Sequence, residues 1–141
     1  MEFLYSDDLR KLPVQCPPNN YKALDMPAYR WVFDDINNPD NFKPLFYKDP
    51  KRVLDMNDSK KCQAMALSMF DSADNAREQF SFLKKSMGPK VYKTLGTKIA
   101  VTNINQKDGV NSLIDAKGHF SHHPSTNSDY RKRFEIIEDL P

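Results

Sequence analysis

The sequence is poor in glycine and cysteine and has no long apolar run. It contains only 4 glycines, and the two glycine-rich phosphate loops, GxxxxGKS/T and GxGxxG, are absent, so we expect no backbone phosphate cradle. The nucleophile motif GxSxG and the zinc motif HExxH are also missing. No apolar run reaches the roughly 18–20 residues that cross a membrane. The first residues, MEFLYSDDLRKL, lack the apolar stretch of a secretory signal, so we expect no membrane association.

Cysteine is limited to Cys16 and Cys62, which can form one disulfide bond at most. No CxxC pair occurs, so the sequence predicts no cysteine zinc site, and we expect neither a metal nor another cofactor. A single pair of cysteines is more typical of a reduced protein of the cytoplasm than of a disulfide-stabilised secreted domain. We therefore predict free thiols and a cytoplasmic location.

The amino-acid composition is typical of an ordinary globular domain. Hydrophobic residues make up 39% and aromatic residues 11% of the chain, which is more than disordered chains contain. Its 141 residues are enough to bury one core. The net charge of +2 combines an acidic part at residues 1–40 with a basic remainder at 41–141. That division of charge suits a protein partner. The chain lacks the dense basic face that nucleic-acid binding requires.

We predict a single domain spanning residues 1–141, with an irregular N-terminal arm at 1–27 and an α+β core at 28–141. Prolines and asparagines between residues 13 and 20 prevent regular structure in the arm. The core is expected to be a small, mainly antiparallel sheet packed against one long amphipathic helix and one or two short helices.

The long helix is predicted over residues 72–87. Asp71 or Ser72 supplies the side-chain cap at its start. Gly88 followed by Pro89 ends it, because glycine accepts the left-handed conformation and proline cannot continue a helix. Steps of three and four residues place the apolar side chains on one stripe: Ala73, Ala76, Phe80, Leu83 and Met87.

Two apolar segments allow both helix and strand. The segment AMALSMF at 64–70 is typical of a buried strand, although its composition also fits the end of a helix that begins near Ser59. We favour the strand there. The segment AYRWVFDDI at 28–36 alternates like a strand but also shows a helical stripe, and Pro27 and the segment's length favour the helix.

Three segments in the C-terminal part of the chain predict strands. Residues 95–114 alternate around an Asn-Gln-Lys-Asp-Gly turn, which indicates a β-hairpin. The sequence HFSHH at 119–123 fits a short strand. Residues 133–140 fit a last strand or a terminal helix, and their two-residue alternation favours the strand.

All three histidines of the chain lie within five residues, at His119, His122 and His123. On a strand, side chains alternate, so His119, Ser121 and His123 project to one side. Imidazole titrates near neutral pH and binds metal when neutral, so this set could transfer protons or contact phosphate. We interpret His119, Ser121 and His123 as candidate catalytic residues; a solvated strand edge without chemistry is the alternative. No acidic or cysteine ligand lies at a supporting spacing, so no metal site is predicted.

Arg30 and Ser68 are candidate ligand-binding residues. Arg30 could hold an anion, whereas on a helix it would instead pair with Asp34, four residues further on. Ser68 could act as a nucleophile, although a small side chain packed inside a strand is the simpler interpretation. For each of the two residues, a role in binding or chemistry and a purely structural role are both open.

The succession ALSMFDSADNA, LGTKIAVTNINQKDGV, GHFSHHP and FEII, within about residues 62–137, resembles small bacterial proteins of unknown function. In those, a strand reading A/G-L-S-x-F precedes a helix and an H-x-S/T strand follows later. More distantly, the chain resembles the ADP-ribosyltransferase-like fold. There, an arginine on an early strand, a serine on a middle strand and a late polar residue line a nicotinamide dinucleotide pocket. The resemblance places Arg30, Ser68 and His119 at those positions, with His119 where glutamate is usual.

Because no established catalytic motif is present, we favour a small cytoplasmic, non-catalytic binding or regulatory protein. It would act through a protein partner in a bacterial toxin or defence context. The alternative is a small nucleotide-processing or ADP-ribosyltransferase-like enzyme with a nucleotide ligand. In that enzyme His119 or His123 would act as acid or base, Ser121 would orient the substrate and Arg30 would hold phosphate. The sequence leaves open whether the chain is an enzyme.

Overall fold

Six antiparallel strands form one sheet in the computed structural model, which describes all of residues 1–141. They are β1 (Met26–Val32), β2 (Leu67–Phe70), β3 (Lys98–Ile104), β4 (Gly109–Asn111), β5 (His119–Pro124) and β6 (Glu135–Asp139). Their order across the sheet is β4-β5-β2-β1-β3-β6. The α-helices are α1 (Ser6–Arg10), α2 (Leu45–Lys48), α3 (Pro50–Val53), α4 (Asp58–Ala64), α5 (Ala73–Met87) and α6 (Val91–Thr94).

The predicted α+β class is confirmed, with an antiparallel sheet and one long helix, although short helices are more numerous than expected. The strands predicted at 119–123 and 133–140 are present as β5 and β6. No helix of the structure combines the length and the apolar character needed to cross a membrane.

Helix α5 begins and ends where the sequence predicts. The Ser72 hydroxyl accepts the N–H of Asn75 at 3.1 Å, which satisfies one of the free donors at the start of the helix. At the other end Gly88 has φ +67°. Phe80 is fully buried and packs in one core cluster with Ala76, Phe70, Val91, Ile99 and Leu140.

The sheet buries side chains on both of its faces. Along β1, Ala28 and Val32 belong to one core cluster, whereas Tyr29 and Trp31 pack against the α5 cluster. The first cluster is completed by residues from β2, β3, β5 and the segment before β6: Leu67, Met69, Ala100, Ile104, Phe120, Tyr130 and Phe134. Strands covered on both faces show a weak polar alternation, and this obscures the pattern of β1 in the sequence.

The helix favoured for residues 28–36 is wrong, since β1 occupies 26–32. Seven residue pairs join β1 to β3, from Met26↔Ile104 to Val32↔Lys98. This ladder and the two core clusters outweigh the helical stripe of the segment. Segment 64–70 contains both of its predicted elements, because α4 ends at Ala64 and β2 begins at Leu67.

The hairpin predicted for residues 95–114 is also wrong in its pairing. Its two arms are β3 and β4, but β4 pairs with β5, and β3 pairs with β1 and β6. In a flat sheet three intervening strands would hold β3 and β4 about 19 Å apart. The link between them is only a tight turn, closed by a hydrogen bond from Asp108 N–H to Asn105 O. The sheet therefore curls, which brings the end of β3 back to the start of β4.

The N-terminal arm is fastened to the core by a disulfide bond, by backbone bridges and by side-chain hydrogen bonds such as that from the Tyr47 hydroxyl to Asp8. A disulfide bond joins Cys16 to Cys62 in α4, so the prediction of free thiols is wrong. Isolated bridges pair Phe3 with Ser125 and Lys22 with Asn111. Sequence spacing could not indicate this pairing, because the two cysteines are 46 residues apart and meet only in the folded chain.

Candidate functional site

A cavity of about 420 Å³ opens where β1 and β2 part. These neighbouring strands share a single register pair, Tyr29↔Phe70, so a cleft separates them beyond that point. Four of the residues singled out in the sequence line the cavity: Arg30, Ser68, His119 and Ser121. The volume lies within the range of roughly 300–1,000 Å³ that small-molecule sites occupy.

The outer wall of the cavity comes from residues 40–64, which include α2, α3 and α4. Its charged side chains are mostly basic, with a single carboxylate at Asp40. The basic ones are Lys43, Lys48, Arg52 and Lys60. Together with Arg30 they give the cavity a strongly positive lining, which concentrates anions.

Arg30 carries a buried charge that no carboxylate neutralises. The residue is 7% exposed, its Nε donates to the carbonyl of Asn41 at 2.8 Å, and its Nη1 donates to the carbonyl of Ser68 at 2.6 Å. Burial lowers the pKa of Arg30 to about 10, so the guanidinium stays charged at neutral pH. Its Nη2 has no acceptor in the protein and is not sealed from solvent. The helical alternative, an ion pair with Asp34, is wrong, because Asp34 binds Thr97 instead.

Asn41 holds Arg30 in this position, and sequence reasoning missed it. Its side chain is buried, accepts the Phe33 N–H at 2.7 Å and donates to the Asp35 carbonyl at 2.8 Å. Its own carbonyl is then free to accept Arg30 Nε. The only sequence signal is its place in the turn-rich stretch NNPDNF, where asparagine commonly bonds the local backbone.

Ser68 and His119 meet at the cavity wall. Ser68 is exposed although the rest of β2 is buried, so the interpretation of a small side chain packed inside the strand is wrong. Its Oγ lies 3.0 Å from His119 Nε2. On the far side of the ring, His119 Nδ1 lies 3.7 Å from Asp115 Oδ2. A hydroxyl, an imidazole and a carboxylate are thus aligned in the order found where a base activates a nucleophile.

The surroundings of His119 keep its ring neutral. Burial lowers its pKa below the usual value, Asp115 opposes this, and the cations Arg30 and Lys117 lower it further. The ring also packs edge-on against Phe70, with centroids 5.5 Å apart. A neutral imidazole can accept a proton from Ser68, which a charged one cannot.

Lys48 is the cation of the outer wall whose charge depends most on pH. Although much of its side chain is exposed, desolvation and the charge of Arg30 lower its pKa to about 8, against a small opposing effect of Asp40. The mutual repulsion of Lys48 and Arg30 agrees with the excess of basic over acidic side chains in the cavity lining.

His123 lies outside the cavity, so the predicted set of His119, Ser121 and His123 is divided. It is buried beside the disulfide bond, with Nε2 3.9 Å from Cys62 Sγ, and its ring packs against Tyr21. Burial lowers its pKa to about 4.

His122 points to the opposite face and is fully buried. Its Nδ1 lies 2.6 Å from Asn111 Oδ1, and its Nε2 contacts the Tyr130 hydroxyl. Burial lowers its pKa to about 3, and the neighbouring charge of Asp108 only partly opposes this. This histidine therefore belongs to the packing of the core.

No protein-family model, no curated protein and no solved structure matches this chain. The functional interpretation therefore depends on the geometry and chemistry of the pocket.

A second polar cluster could hold a metal only after a chemical change. Ligand atoms of Cys16, Cys62 and His123 all lie within 4.8 Å of one another. The two sulfur atoms are bonded to each other, and a metal requires them as thiolates. The pocket around Arg30 has its chemistry available without such a change.

Proposed function

We propose that this chain binds a phosphate-bearing small molecule of the nucleotide class in the pocket around Arg30. One observation carries the proposal: Arg30 is buried, charged and without a carboxylate partner, it lines the cavity, and its Nη2 has no acceptor in the protein. Burying an uncompensated charge is costly. An anionic group on Nη2 would recover part of that cost through charge-assisted hydrogen bonds.

The walls of the pocket support a nucleotide more than a bare anion. Five cations face one carboxylate in the lining, which suits a ligand with several negative charges. Apolar side chains of the same lining, Phe33, Leu45, Met56 and Leu95, offer contacts to a base or a sugar. Small-molecule sites commonly combine such apolar walls with a few convergent polar groups.

The resemblance to the ADP-ribosyltransferase-like fold supports the same class of ligand. It predicts an arginine from an early strand, a serine from a middle strand and a late polar residue around one pocket. Here Arg30 on β1, Ser68 on β2 and His119 on β5 line one cavity. A nicotinamide dinucleotide is therefore the first dinucleotide to test.

Isothermal titration calorimetry with ADP, nicotinamide adenine dinucleotide and inorganic phosphate tests the proposal. We expect ADP or the dinucleotide to bind more tightly than phosphate, and Lys48→Met to weaken binding by about tenfold, which corresponds to about 1.4 kcal/mol. Lys51→Met, on α3 but outside the cavity lining, is the matched control and should bind as the wild type does.

Arg30→Lys keeps the charge but removes the planar fork, and it should lower the affinity at least as much as Lys48→Met. Circular dichroism establishes that each variant is folded. If neither ADP nor the dinucleotide binds, or if Lys48→Met and Lys51→Met behave alike, the proposal fails.

Three expectations from the sequence stay predictions. They are the protein partner, the bacterial toxin or defence context and the cytoplasmic location. The Cys16–Cys62 bond bears on the last of these, because disulfide bonds persist mainly in oxidising compartments. A thiol assay on the protein from its native host would test the location.

A further inference from the structure

Ser68, His119 and Asp115 form a continuous series of contacts beside the phosphate-binding charge of Arg30. We propose that the pocket is catalytic and transfers the phosphoryl group of a nucleotide-class phosphate monoester to Ser68, with His119 as general base and Asp115 as its positioning residue. The proposal rests on the proposed function, since it needs a phosphate held at Arg30, and it adds the reaction and the residues that perform it.

The contact between Ser68 and His119 has the geometry of a nucleophile and its base. The Ser68 Oγ to His119 Nε2 distance of 3.0 Å lies within the reach of about 2.6–3.2 Å that such pairs show. Ser68 is the one exposed residue of β2, so its hydroxyl is accessible from the cavity. His119 comes from β5, which pairs directly with β2, and the sheet therefore fixes the distance between them.

Asp115 orients the ring of His119 from the other side. Its Oδ1 accepts the backbone N–H groups of Lys117 and His119, each at 2.9 Å, which fixes the carboxylate. Its Oδ2 lies 3.7 Å from His119 Nδ1. This distance is too long for a hydrogen bond, and the carboxylate acts through its charge, which favours the tautomer with the proton on Nδ1. Nε2 is then left free to accept the proton of Ser68.

Arg30 determines which group reacts. Its Nη1 binds the backbone carbonyl of Ser68 at 2.6 Å, and Arg30 and Ser68 line the same cavity, so we place an anion held by Arg30 within reach of the Ser68 hydroxyl. The nearest electrophile is then the phosphorus atom of the bound phosphate itself. Phosphoryl transfer depends mainly on positioning and on stabilising charge, and the cationic lining supplies that charge.

The reaction balances without an external oxidant or reductant. Ser68 Oγ forms a bond to phosphorus, the ester P–O bond breaks, and the serine proton passes to His119 Nε2. The protonated His119 then gives that proton to the departing alkoxide, which leaves as an alcohol. In the second half, His119 takes a proton from water, and the resulting hydroxide forms a bond to the phosphorus of phosphoserine. The P–Oγ bond breaks, inorganic phosphate leaves, and protonated His119 returns its proton to Ser68 Oγ, which restores both side chains.

The pKa of His119 determines the pH above which the proposed base is neutral and can accept a proton. Three charged groups act on the ring: Asp115, Arg30 and Lys117. Because burial and the two cations outweigh Asp115, the base is neutral, and therefore active, at and above neutral pH. Activity should rise with pH through the pKa of His119.

Phosphoserine trapping tests the nucleophile directly. The full chain is incubated with AMP and, separately, with p-nitrophenyl phosphate, quenched in acid and digested for mass spectrometry, while phosphate or p-nitrophenolate release is followed. We expect one phosphoryl group on the peptide that contains Ser68, none in Ser68→Ala, and turnover at least about a hundredfold slower in His119→Gln. Ser86→Ala, whose hydroxyl bonds its own helix at Leu83, is the matched control and should keep wild-type turnover.

The variant Asp115→Asn distinguishes a role of Asp115 in positioning His119 from a purely structural role. The amide keeps the oxygen that accepts the two backbone N–H groups, but it removes the negative charge. We expect lower kcat with little change in KM, and a shift of the rising limb of the pH–rate profile to lower pH. A purely structural role would leave the position of that limb unchanged.

The outcomes distinguish this proposal from the proposed function. ADP binding that Lys48→Met weakens, without phosphoserine or turnover of either ester, overturns the catalytic proposal and leaves the binding proposal standing. Absence of ADP binding as well overturns both. Turnover that persists in Ser68→Ala, or release of nicotinamide from the dinucleotide without phosphoserine, also overturns Ser68 as the phosphoryl acceptor. ADP binding by Ser68→Ala establishes that this variant is folded.

Discussion

The guanidinium of Arg30 donates a hydrogen bond to the backbone carbonyl of Ser68 across 2.6 Å, where β1 and β2 separate. The bond joins two strands that share only one register pair, and it leaves Nη2 of the guanidinium without an acceptor in the protein. A single side chain thus links the two strands across the cleft and adds its charge to that of the basic wall. The structural support and the ligand binding that we propose would depend on the same residue.

Affinity for ADP should fall as the pH rises from neutral to about 9. The pKa of Lys48 is about 8, so its positive charge is present below that pH and is lost above it. The phosphates of ADP are already ionised over this interval, since phosphate monoesters titrate near pH 6. Calorimetry at several pH values should show a loss of up to about tenfold, equivalent to one pKa unit of coupling.

Lys48→Met should remove this pH dependence, whereas Lys51→Met should retain it. A wild-type affinity that is constant across the interval would mean that Lys48 does not contact the bound anion.

As the pH falls, the buried histidines should begin to destabilise the protein at a higher pH than the protonation of its carboxylates would. Burial lowers the pKa of His122 to about 3 and that of His123 to about 4, against about 6.5 in an unfolded chain. Between these values the unfolded state binds more protons, so the free energy of unfolding decreases as the pH falls through about 6. Each histidine contributes at most about 1.4 kcal/mol per pH unit.

Urea unfolding at several pH values between about 4 and 7 measures this slope. His122→Gln should make the dependence of stability on pH shallower. His119→Gln should change this dependence less, because the His119 side chain is partly exposed. Equal slopes in all three proteins would contradict the assignment of His122 as a buried neutral group.

Reduction of the disulfide bond should lower stability without unfolding the core. Cys16 and Cys62 are 46 residues apart, and closing a loop of this size contributes about 2–4 kcal/mol. Urea unfolding of the wild type with and without a phosphine reductant measures the difference. The Cys16→Ser/Cys62→Ser double variant should match the reduced wild type and show no response to the reductant. A wild type that is equally stable in both conditions would contradict a formed bond in the native protein.

Phe80 should contribute far more to stability than its neighbour Phe82. Phe80 is fully buried against Trp31, whereas Phe82 is 62% exposed. Phe80→Ala should cost about 3–5 kcal/mol through lost burial and the cavity it leaves, and Phe82→Ala less than about 1 kcal/mol. Thermal unfolding of the two variants provides the comparison, and similar melting temperatures would contradict the packing of α5.

The elements that sequence predicts well are those whose signals are local. Helix α5 has a serine cap, an apolar stripe and a glycine stop within residues 72–88, and the structure reproduces all three. Strand β1 was misjudged because its conformation is decided by seven pairs with β3, about seventy residues later. Sequence distance also explains the missed disulfide bond, whose cysteines are 46 residues apart. The pairing of β4 with β5 is close in sequence, and it was missed because the Asn-Gln-Lys-Asp-Gly turn indicated β3 as the partner of β4.

The residues of the pocket could likewise be predicted only in part. The sequence indicated four of its residues, Arg30, Ser68, His119 and Ser121, because their side chains are chemically conspicuous. It missed Asp115, whose link to His119 depends on a turn, and it missed the basic wall. That wall is formed by residues 43–60, which look like an ordinary solvated segment until α2, α3 and α4 fold over the cleft.

A crystal structure of the protein with ADP tests most directly whether Arg30 holds the phosphate. We predict a phosphate oxygen within hydrogen-bonding distance of Arg30 Nη2, with Lys48 turned toward the same group. We also predict that this phosphate lies beside the Ser68 hydroxyl, which stays in contact with His119. ADP bound elsewhere, or an Arg30 paired with a protein carboxylate in the crystal, would contradict these predictions.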